Sequence, residues 1–285
     1  MNHQSIKQVY ESCKEVLSPV WGSEEARAIT DYLFREKFGL GRTAIISKGD
    51  QPFEHEDELF PLLSRLQQSE PVQQVLGYAY FCGLKITITK DVLIPRPETE
   101  ELIELAKTHI TSSQTIIADI CTGSGCMALA LKHLFPTNHI IATDISLPAL
   151  TVAQANATTL FKTGAIHFEH HDILSGTWSF PIPHIIVCNP PYIGLNEATN
   201  MNSNVLRYEP HLALFVEDED PLLFYKAVIR LFLPHPFPLI FFEINPFYAE
   251  ALVAFCNEHQ LTCILTNDIH NNTRFALIEK GDLQQ

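Results

Sequence analysis

Basic side chains are scarce in this sequence: 19 Lys and Arg stand against 33 Asp and Glu in 285 residues, a formal net charge of −14. The deficit is uneven, with 10 basic against 12 acidic residues in 1–90 and 9 against 21 in 91–285. A surface of that sign repels phosphate, and nucleic-acid binding draws much of its affinity from Lys and Arg. A protein or small-molecule partner is expected, with no direct sequence-specific recognition of nucleic acid. No stretch approaches the ~18 uninterrupted apolar residues of a membrane span. The opening MNHQSIKQVY lacks the apolar block of a signal peptide. A soluble, cytoplasmic protein with no membrane partner is expected. Seven cysteines contain no Cys-x-x-Cys pair, which argues against a disulfide framework or a zinc ribbon. No internal repeat or low-complexity segment is present.

What the chain does have is apolar material, 46% of its residues, enough for one large or two ordinary domains. Residues 1–75 read as helices, with Ile6, Val9, Tyr10, Cys13, Val16, Leu17 and then Ala26, Ile29, Tyr32, Leu33 at helical spacing. Ser23 resembles an N-cap, and a further helix is expected from Pro52-Phe53 to Leu66. From Val72 to Lys90 the period becomes two, and a β-hairpin linking two domains is expected at 76–92. Leu93 to Glu101 holds Pro95-Arg96-Pro97 before a helix expected to be capped at Thr99. That loop reads equally as a rigid linker and as a pocket wall carrying Arg96.

After residue 115 strand and helix patterns alternate. Strands are expected at Thr115–Asp119, His139–Ile145, Ala165–Phe168, His184–Cys188, Leu239–Ile244, Leu261–Leu265 and Arg274–Ile278, with helices between most of them. This pattern predicts an α/β domain over 93–285, a mostly parallel sheet covered on both faces, with ligands at the carboxyl ends of its strands.

Two strand ends carry chemistry. The first runs into Asp119-Ile120-Cys121-Thr122-Gly123-Ser124-Gly125, where Gly123, Gly125 and Ala128 match a loose G-x-G-x-x-A fingerprint and Asp144 ends the next strand. Alone this indicates a nucleoside-type cofactor of unspecified kind. Asp119 would repel a pyrophosphate but attract an ammonium. Asp172 followed by Ile173 suits an adenine amino group and ring face, and together these favour S-adenosylmethionine. At the fourth strand's end, Asn189-Pro190-Pro191-Tyr192 forms a stiff corner, because two prolines fix φ and offer no N–H. Such a corner can hold a planar amide or amine, or Asn189 can simply cap the strand. His170, His171 and Asp172 are adjacent and cannot easily face one ion, so no metal site is expected. Cys121, Cys126 and Cys188 read as small buried thiols.

In these motifs the sequence resembles the protein-glutamine methyltransferases that modify the Gly-Gly-Gln motif of peptide chain release factors. The resemblance covers nearly the whole chain. It is carried by Ile94-Pro95-Arg96-Pro97-Glu98-Thr99-Glu100, Thr122-Gly123-Ser124-Gly125, Asp144-Ile145-Ser146, Asn189-Pro190-Pro191-Tyr192-Ile193 and Tyr208-Glu209-Pro210-His211-Leu212-Ala213-Leu214-Phe215. It implies a Rossmann-like seven-stranded S-adenosylmethionine-dependent methyltransferase domain behind a small all-α substrate-recognition domain. Asp119, Ile120, Cys121, Thr122, Gly123, Gly125, Asp144, Ile145, Asp172, Ile173 and Asn189 would hold the cofactor. Arg96, Asn189, Pro190, Pro191 and Tyr192 would hold the substrate. Asn189, Pro190 and Tyr192 would be catalytic, with the Asn189 and Pro190 carbonyls accepting the amide hydrogens and Tyr192 packing on the amide plane.

The sequence departs from the family pattern where Glu-Ile-Gly becomes Glu243-Ile244-Asn245, where a later glycine becomes Asn271, and where a glutamine near Phe247 is absent. Asn tolerates positive φ, so both exchanges are expected to keep a backbone turn. A ribosomal-protein glutamine methyltransferase, an exocyclic-amine methyltransferase on nucleic acid, and a non-catalytic adaptor remain as alternatives at this stage.

Overall fold

A computed structural model describes residues 4–161 and 163–281. The outermost ends of the expected domain ranges, 1–3 and 282–285, lie outside the described residues. The chain divides into two compact units, Met1–Tyr78 and Ala79–Gln285.

The first unit is built of α1 (Ile6–Trp21), α2 (Ser23–Phe38), α3 (Arg42–Lys48), α4 (Glu56–Leu66) and α5 (Val72–Leu76). Ser5 opens α1 with a capping box, its hydroxyl accepting from Gln8 N and its N–H donating to Gln8 Oε1. The apolar stripes of these helices meet in a core that includes Leu17, Leu33, Phe34, Phe53, Leu59 and Leu66. Each such buried side chain is worth roughly 1.5–3 kcal/mol.

Three local expectations change here. Ser23 is the first residue of α2 rather than its cap, because Gly22, at φ 76°, makes the turn out of α1. The helix expected from Pro52 starts at Glu56: Pro52 bridges Ser5 and Phe53 N–H donates to the Gln4 carbonyl, which keeps both residues extended. Val72–Leu76, read from its sequence as the start of the period-two stretch, is a helical turn stopped by Gly77 at φ 80°, with Arg65 donating to the Gln74 and Val75 carbonyls.

The second unit begins with the hairpin β1 (Tyr78–Phe81) and β2 (Leu84–Thr87), whose first residue still belongs to the helical unit. Rather than a free-standing linker, the hairpin is a layer of this unit: Ala79, Phe81, Ile86 and Ile88 are buried in its core. The Asn156 amide also receives Thr87 N–H and donates to Thr87 O, both at 2.9 Å. Next come α6 (Pro97–Lys107), β3 (Ile116–Ile120), α7 (Cys126–Leu134), β4 (His139–Asp144), α8 (Leu147–Leu160), β5 (His167–His170) and β6 (Ile185–Cys188). The chain continues through β7 (Ile193–Gly194), α9 (Ser203–Tyr208), β8 (Phe215–Val216), α10 (Leu223–Phe232), β9 (Leu239–Glu243), α11 (Ala249–Glu258), β10 (Leu261–Asn267) and β11 (Thr273–Lys280). Helix α6 starts at Pro97, not Thr99, since proline's fixed φ and missing N–H suit a first helical turn.

Seven strands form one sheet in the order β10-β11-β9-β6-β3-β4-β5. β3, β4, β5, β6 and β9 are mutually parallel, and β11 runs antiparallel between β9 and β10. Alternation along each strand sorts side chains to two faces. Ile117, Ile185, Val187 and Phe241 pack with α6, α7 and α8, whereas Ala118, Ile186, Cys188, Ile240 and Phe242 pack with α10 and α11. Burial on both faces explains why these strands read as continuous apolar runs. The parallel strands all end at one edge, so Ile120, Asp144, Cys188 and Glu243 lie near one another although far apart in sequence. The order reverses where β6 and β4 flank β3, the place where open α/β sheets leave a crevice.

Candidate active site

A cavity of about 210 Å³ opens at that edge, lined wholly by residues of the second unit. Of the residues singled out from the sequence, Ile120, Cys121, Gly123, Asp144, Ile145, Asp172, Ile173, Asn189 and Pro191 reach its wall; Asp119, Thr122, Gly125, Arg96, Pro190 and Tyr192 do not. For Asp119, Thr122, Gly125, Arg96 and Tyr192 the absence has a physical cause in the partners they take instead.

Asp119 is fully buried at the end of β3. Its Oδ2 accepts from Thr122 Oγ1 at 2.5 Å and from Ala128 N at 2.9 Å, so one oxygen and the Thr122 hydroxyl are spent closing the loop onto α7. Its Oδ1 is buried with no hydrogen-bond partner among the described residues. Burial, helped by the neighbouring Asp144 charge, pushes its pKa up to about 7. Gly125 adopts φ 82°, and a Cβ there would sit 3.0 Å from Ala153 Cβ, so the loop packs on α8 instead of facing the cavity. Cys121, at φ 62°, holds the same left-handed region without glycine's freedom. The Cys188 thiol on the neighbouring strand is pushed up by burial and by its contact with Cys121.

Asp144 ends β4 with both oxygens anchored, Oδ2 accepting from Gly123 N and Oδ1 from Ser146 N at 2.8 Å each. Each oxygen keeps a further lone pair for a hydroxyl group. Asp172 Oδ1 accepts from Leu174 N at 2.9 Å, which turns the chain so that the buried Ile173 forms apolar wall. The Asp144 carboxylate and the apolar Ile173 wall have the chemistry that a ribose and a nucleoside base call for, while the orphaned Asp119 oxygen lies behind the cavity wall. His170 Nε2 contacts the Ile145 carbonyl and His171 Nε2 the Thr177 carbonyl, so the two rings are engaged with different backbone groups.

The Asn-Pro-Pro-Tyr corner follows β6. Asn189 Nδ2 lies 3.0 Å from Glu243 Oε2 and 3.3 Å from Thr99 Oγ1. Tyr192 turns its hydroxyl into the protein to donate to Glu243 Oε1 at 2.9 Å, which explains its absence from the cavity wall. Burial and the Glu243 charge raise the Tyr192 pKa. Glu243 is 2% exposed, and burial raises its pKa against the lowering effect of its Thr99 and Tyr192 hydrogen bonds. Thr99, expected as a helix cap, and Glu243, named only within a family motif, have no place in the site expected from the sequence. Their signal was an acid at the end of an otherwise apolar strand and a threonine placed among glutamates.

Arg96 was expected either in a linker or in the pocket wall, and the structure gives it another partner. Its guanidinium donates to Glu209 Oε1 at 2.6 Å, and Glu209 Oε2 accepts from Ile94 N at 3.2 Å. The Glu209 side chain is 1% exposed and that of Arg96 35%. The pair therefore staples the Pro-Arg-Pro loop to the Tyr-Glu-Pro-His segment, whose Pro210, Leu212 and Ala213 line the cavity. Arg96→Ala strands a buried carboxylate and is expected to cost about 2–3 kcal/mol, below the ~3–5 of a wholly buried pair because Arg96 stays partly in water. Urea unfolding measures this; a loss under about 0.5 kcal/mol, the size of an ordinary surface substitution, contradicts it.

Asn245 is not a stand-in for a left-handed glycine. Its φ is −76°, and its side chain does the holding: Nδ2 donates to Tyr192 O and to Glu197, and Oδ1 accepts from Phe247 N. Asn271 does adopt φ 63°, as expected of a glycine substitute in the β10–β11 turn.

Comparison with known proteins agrees with this geometry. The family profile described as Methyltransferase small domain matches residues 99–208. The release factor glutamine methyltransferase of Bacteroides thetaiotaomicron is 36% identical over 257 residues, covering 87% of this chain and 90% of its own. That of Flavobacterium psychrophilum is 39% identical over 224 residues, covering 76% and 78%. Among solved structures, the hMettl16 catalytic domain in complex with a MAT2A 3′UTR hairpin superposes with a TM-score of 0.54 at 18% identity, over 93% of this chain and 83% of that one, a likeness of fold alone. With a methyltransferase fold and identity of this extent over most of its length, the chain belongs to the release factor glutamine methyltransferase family.

Proposed function

We propose that the protein transfers a methyl group from S-adenosylmethionine to the side-chain amide nitrogen of the glutamine in the Gly-Gly-Gln motif of peptide chain release factors. The observation that carries this reading is Asn189: it stands in the cavity wall with its nitrogen directed to Glu243 and Thr99, and its Oδ1 engages no other described residue. That oxygen can accept one hydrogen of a glutamine amide, and the carbonyl of the adjoining Pro190, which is not itself in the cavity wall, would accept the other.

An amide nitrogen is a poor nucleophile because its lone pair is delocalised into the carbonyl. Holding both hydrogens in one orientation presents the face of the nitrogen and favours pyramidalisation, so the gain comes from positioning. The cofactor supplies an electrophilic methyl on a positively charged sulfur. Asp119 would bind its ammonium, Asp144 its ribose hydroxyls, and Asp172 with Ile173 its adenine. Gly123 lets the backbone approach closely, Ile120, Cys121 and Ile145 line that half of the cavity, and Thr122 and Gly125 fix the loop behind it. After transfer the nitrogen carries a surplus proton and loses it readily to water. A dedicated base is unnecessary; His171, which does line the cavity, has its Nε2 on the Thr177 carbonyl and its Nδ1 buried with no partner among the described residues.

Arg96 supports the substrate side through Glu209, and Tyr192 supports the corner from behind. We assign the helical unit to recognition of the release factor, and we place the reaction in the cytoplasm. The alternative of nucleic-acid amine methylation is opposed by the excess of 12 acidic over basic residues in 91–285. Mass spectrometry of a release factor incubated with protein and cofactor tests the proposal. One added methyl on the Gly-Gly-Gln peptide is expected, and an unmodified peptide with cofactor demonstrably bound contradicts it.

A further inference from the structure

Resting on the methyl-transfer reading above, we propose that Glu243 is a positioning residue: its buried carboxylate decides which end of the Asn189 amide faces the substrate. Glu243 ends β9, one step beyond the paired Cys188 and Phe242, so it stands beside Asn189 across the sheet edge. Its Oε2 accepts from Thr99 Oγ1 at 2.7 Å and from Asn189 Nδ2 at 3.0 Å, and its Oε1 accepts from Tyr192 at 2.9 Å. One side chain thereby holds both ends of the Asn-Pro-Pro-Tyr corner.

The direction of every hydrogen bond in this group follows from that carboxylate. Thr99, Asn189 and Tyr192 all donate to Glu243, so Thr99 spends its single proton there and can offer Asn189 only a lone pair. The two acceptors near Asn189 Nδ2 are 2.7 Å from each other, close enough to share one forked N–H. Turning the amide over would set Oδ1 against two oxygen lone pairs, one of them charged, with little water to screen the repulsion. The nitrogen is therefore locked inward and the carbonyl is left for the substrate. A glutamine at 243 keeps the size but adds an N–H that can donate to Asn189 Oδ1, so the amide loses its fixed sense. Thr99 is in the same position at second hand, since Thr99→Val removes one acceptor but leaves the carboxylate.

The test pairs kinetics with a readout that needs no substrate. Glu243→Gln is expected to lower kcat for release-factor methylation by about 10²-fold, the scale of losing one preorganised hydrogen-bonding group. Cofactor affinity by calorimetry, release-factor KM and the melting temperature should stay near the wild-type values. Thr99→Val should give a smaller loss of kcat with the same pattern. In protein carrying isotope-labelled asparagine, the Asn189 side-chain resonances are identified by their disappearance in Asn189→Ala. They should show one hydrogen-bonded proton in the wild type and lose that signature in Glu243→Gln. Unchanged Asn189 resonances in Glu243→Gln, or losses of kcat that merely follow falling cofactor affinity and melting temperature in both variants, would overturn the proposal. If the wild type methylates no release factor while the Asn189 signature still depends on Glu243, the substrate assignment fails and the positioning role stands.

Discussion

Replacing Asn189 with alanine is expected to lower methyl transfer about 10³-fold while leaving cofactor affinity within a few-fold, because the residue orients the reacting amide and little else. Among the described residues, the Asn189 side chain hydrogen-bonds through its Nδ2 to Glu243 and Thr99. Removing it leaves Glu243 with its Thr99 and Tyr192 donors, so the buried carboxylate is not stranded and folding should be little affected. The loss should therefore appear in kcat for the release factor, measured by single-turnover transfer, with calorimetry reporting the cofactor separately. A collapse of cofactor binding in Asn189→Ala would move this residue from the substrate to the cofactor.

The second large effect concerns Asp119. Folding raises its carboxyl from an ordinary 3.8 to about 7, chiefly through burial. The folded state thus holds this proton more tightly than the unfolded chain does. The stability it contributes is fully present below about pH 4, fades between about pH 4 and 7, and is gone above the folded pKa, where an ionised carboxylate must be buried. An asparagine fits the same place: its oxygen can accept from Thr122 and Ala128, and its nitrogen takes the position of the unpartnered Oδ1. Asp119→Asn is expected to melt about 5 °C above the wild type at pH 8, with the gap closing toward pH 4. The same substitution should weaken S-adenosylmethionine by ~10-fold or more, since a charged hydrogen bond to the ammonium is lost. A melting gap independent of pH contradicts the burial argument, and intact cofactor affinity contradicts the ammonium site. A gain in stability alongside a loss of binding would mark Asp119 as a residue kept for its ligand.

How much of this was legible in the sequence depends on whether the signal is local. All seven strands of the large sheet were legible as short apolar or β-branched runs, continuous in β3, β4, β6 and β9 where both faces are buried, and the observed bounds differ from the expected ones by about two residues. The largest shift, β5 at His167–His170 rather than Ala165–Phe168, arises where the strand alternates with histidine and loses its apolar outline. The loop after β3 and the Asn-Pro-Pro-Tyr corner were legible because glycine and proline chemistry is written residue by residue.

Long-range pairing was not legible. Thr99 looked like a cap because it precedes a run of glutamates, yet its hydroxyl goes to Glu243, 144 residues away, and proline supplies the helix start. Arg96 could have been a pocket wall or a linker until Glu209 was seen behind it, 113 residues on. Asn245 and Asn271 show why composition alone misleads. Both replace an expected glycine, but only Asn271 uses the left-handed backbone, whereas Asn245 works through its side chain. Side-chain bonds of this kind exist only once the parallel strands have brought their ends together.

Transfer of labelled methyl from S-adenosylmethionine to purified full-length release factors, alongside the same factors carrying Gln→Ala in the Gly-Gly-Gln motif, tests whether that glutamine is the methyl acceptor. Label on the unaltered factor and none on the substituted one is the predicted result. Label retained after the substitution, or absent from both proteins while the cofactor binds, contradicts the assignment of that glutamine as the substrate.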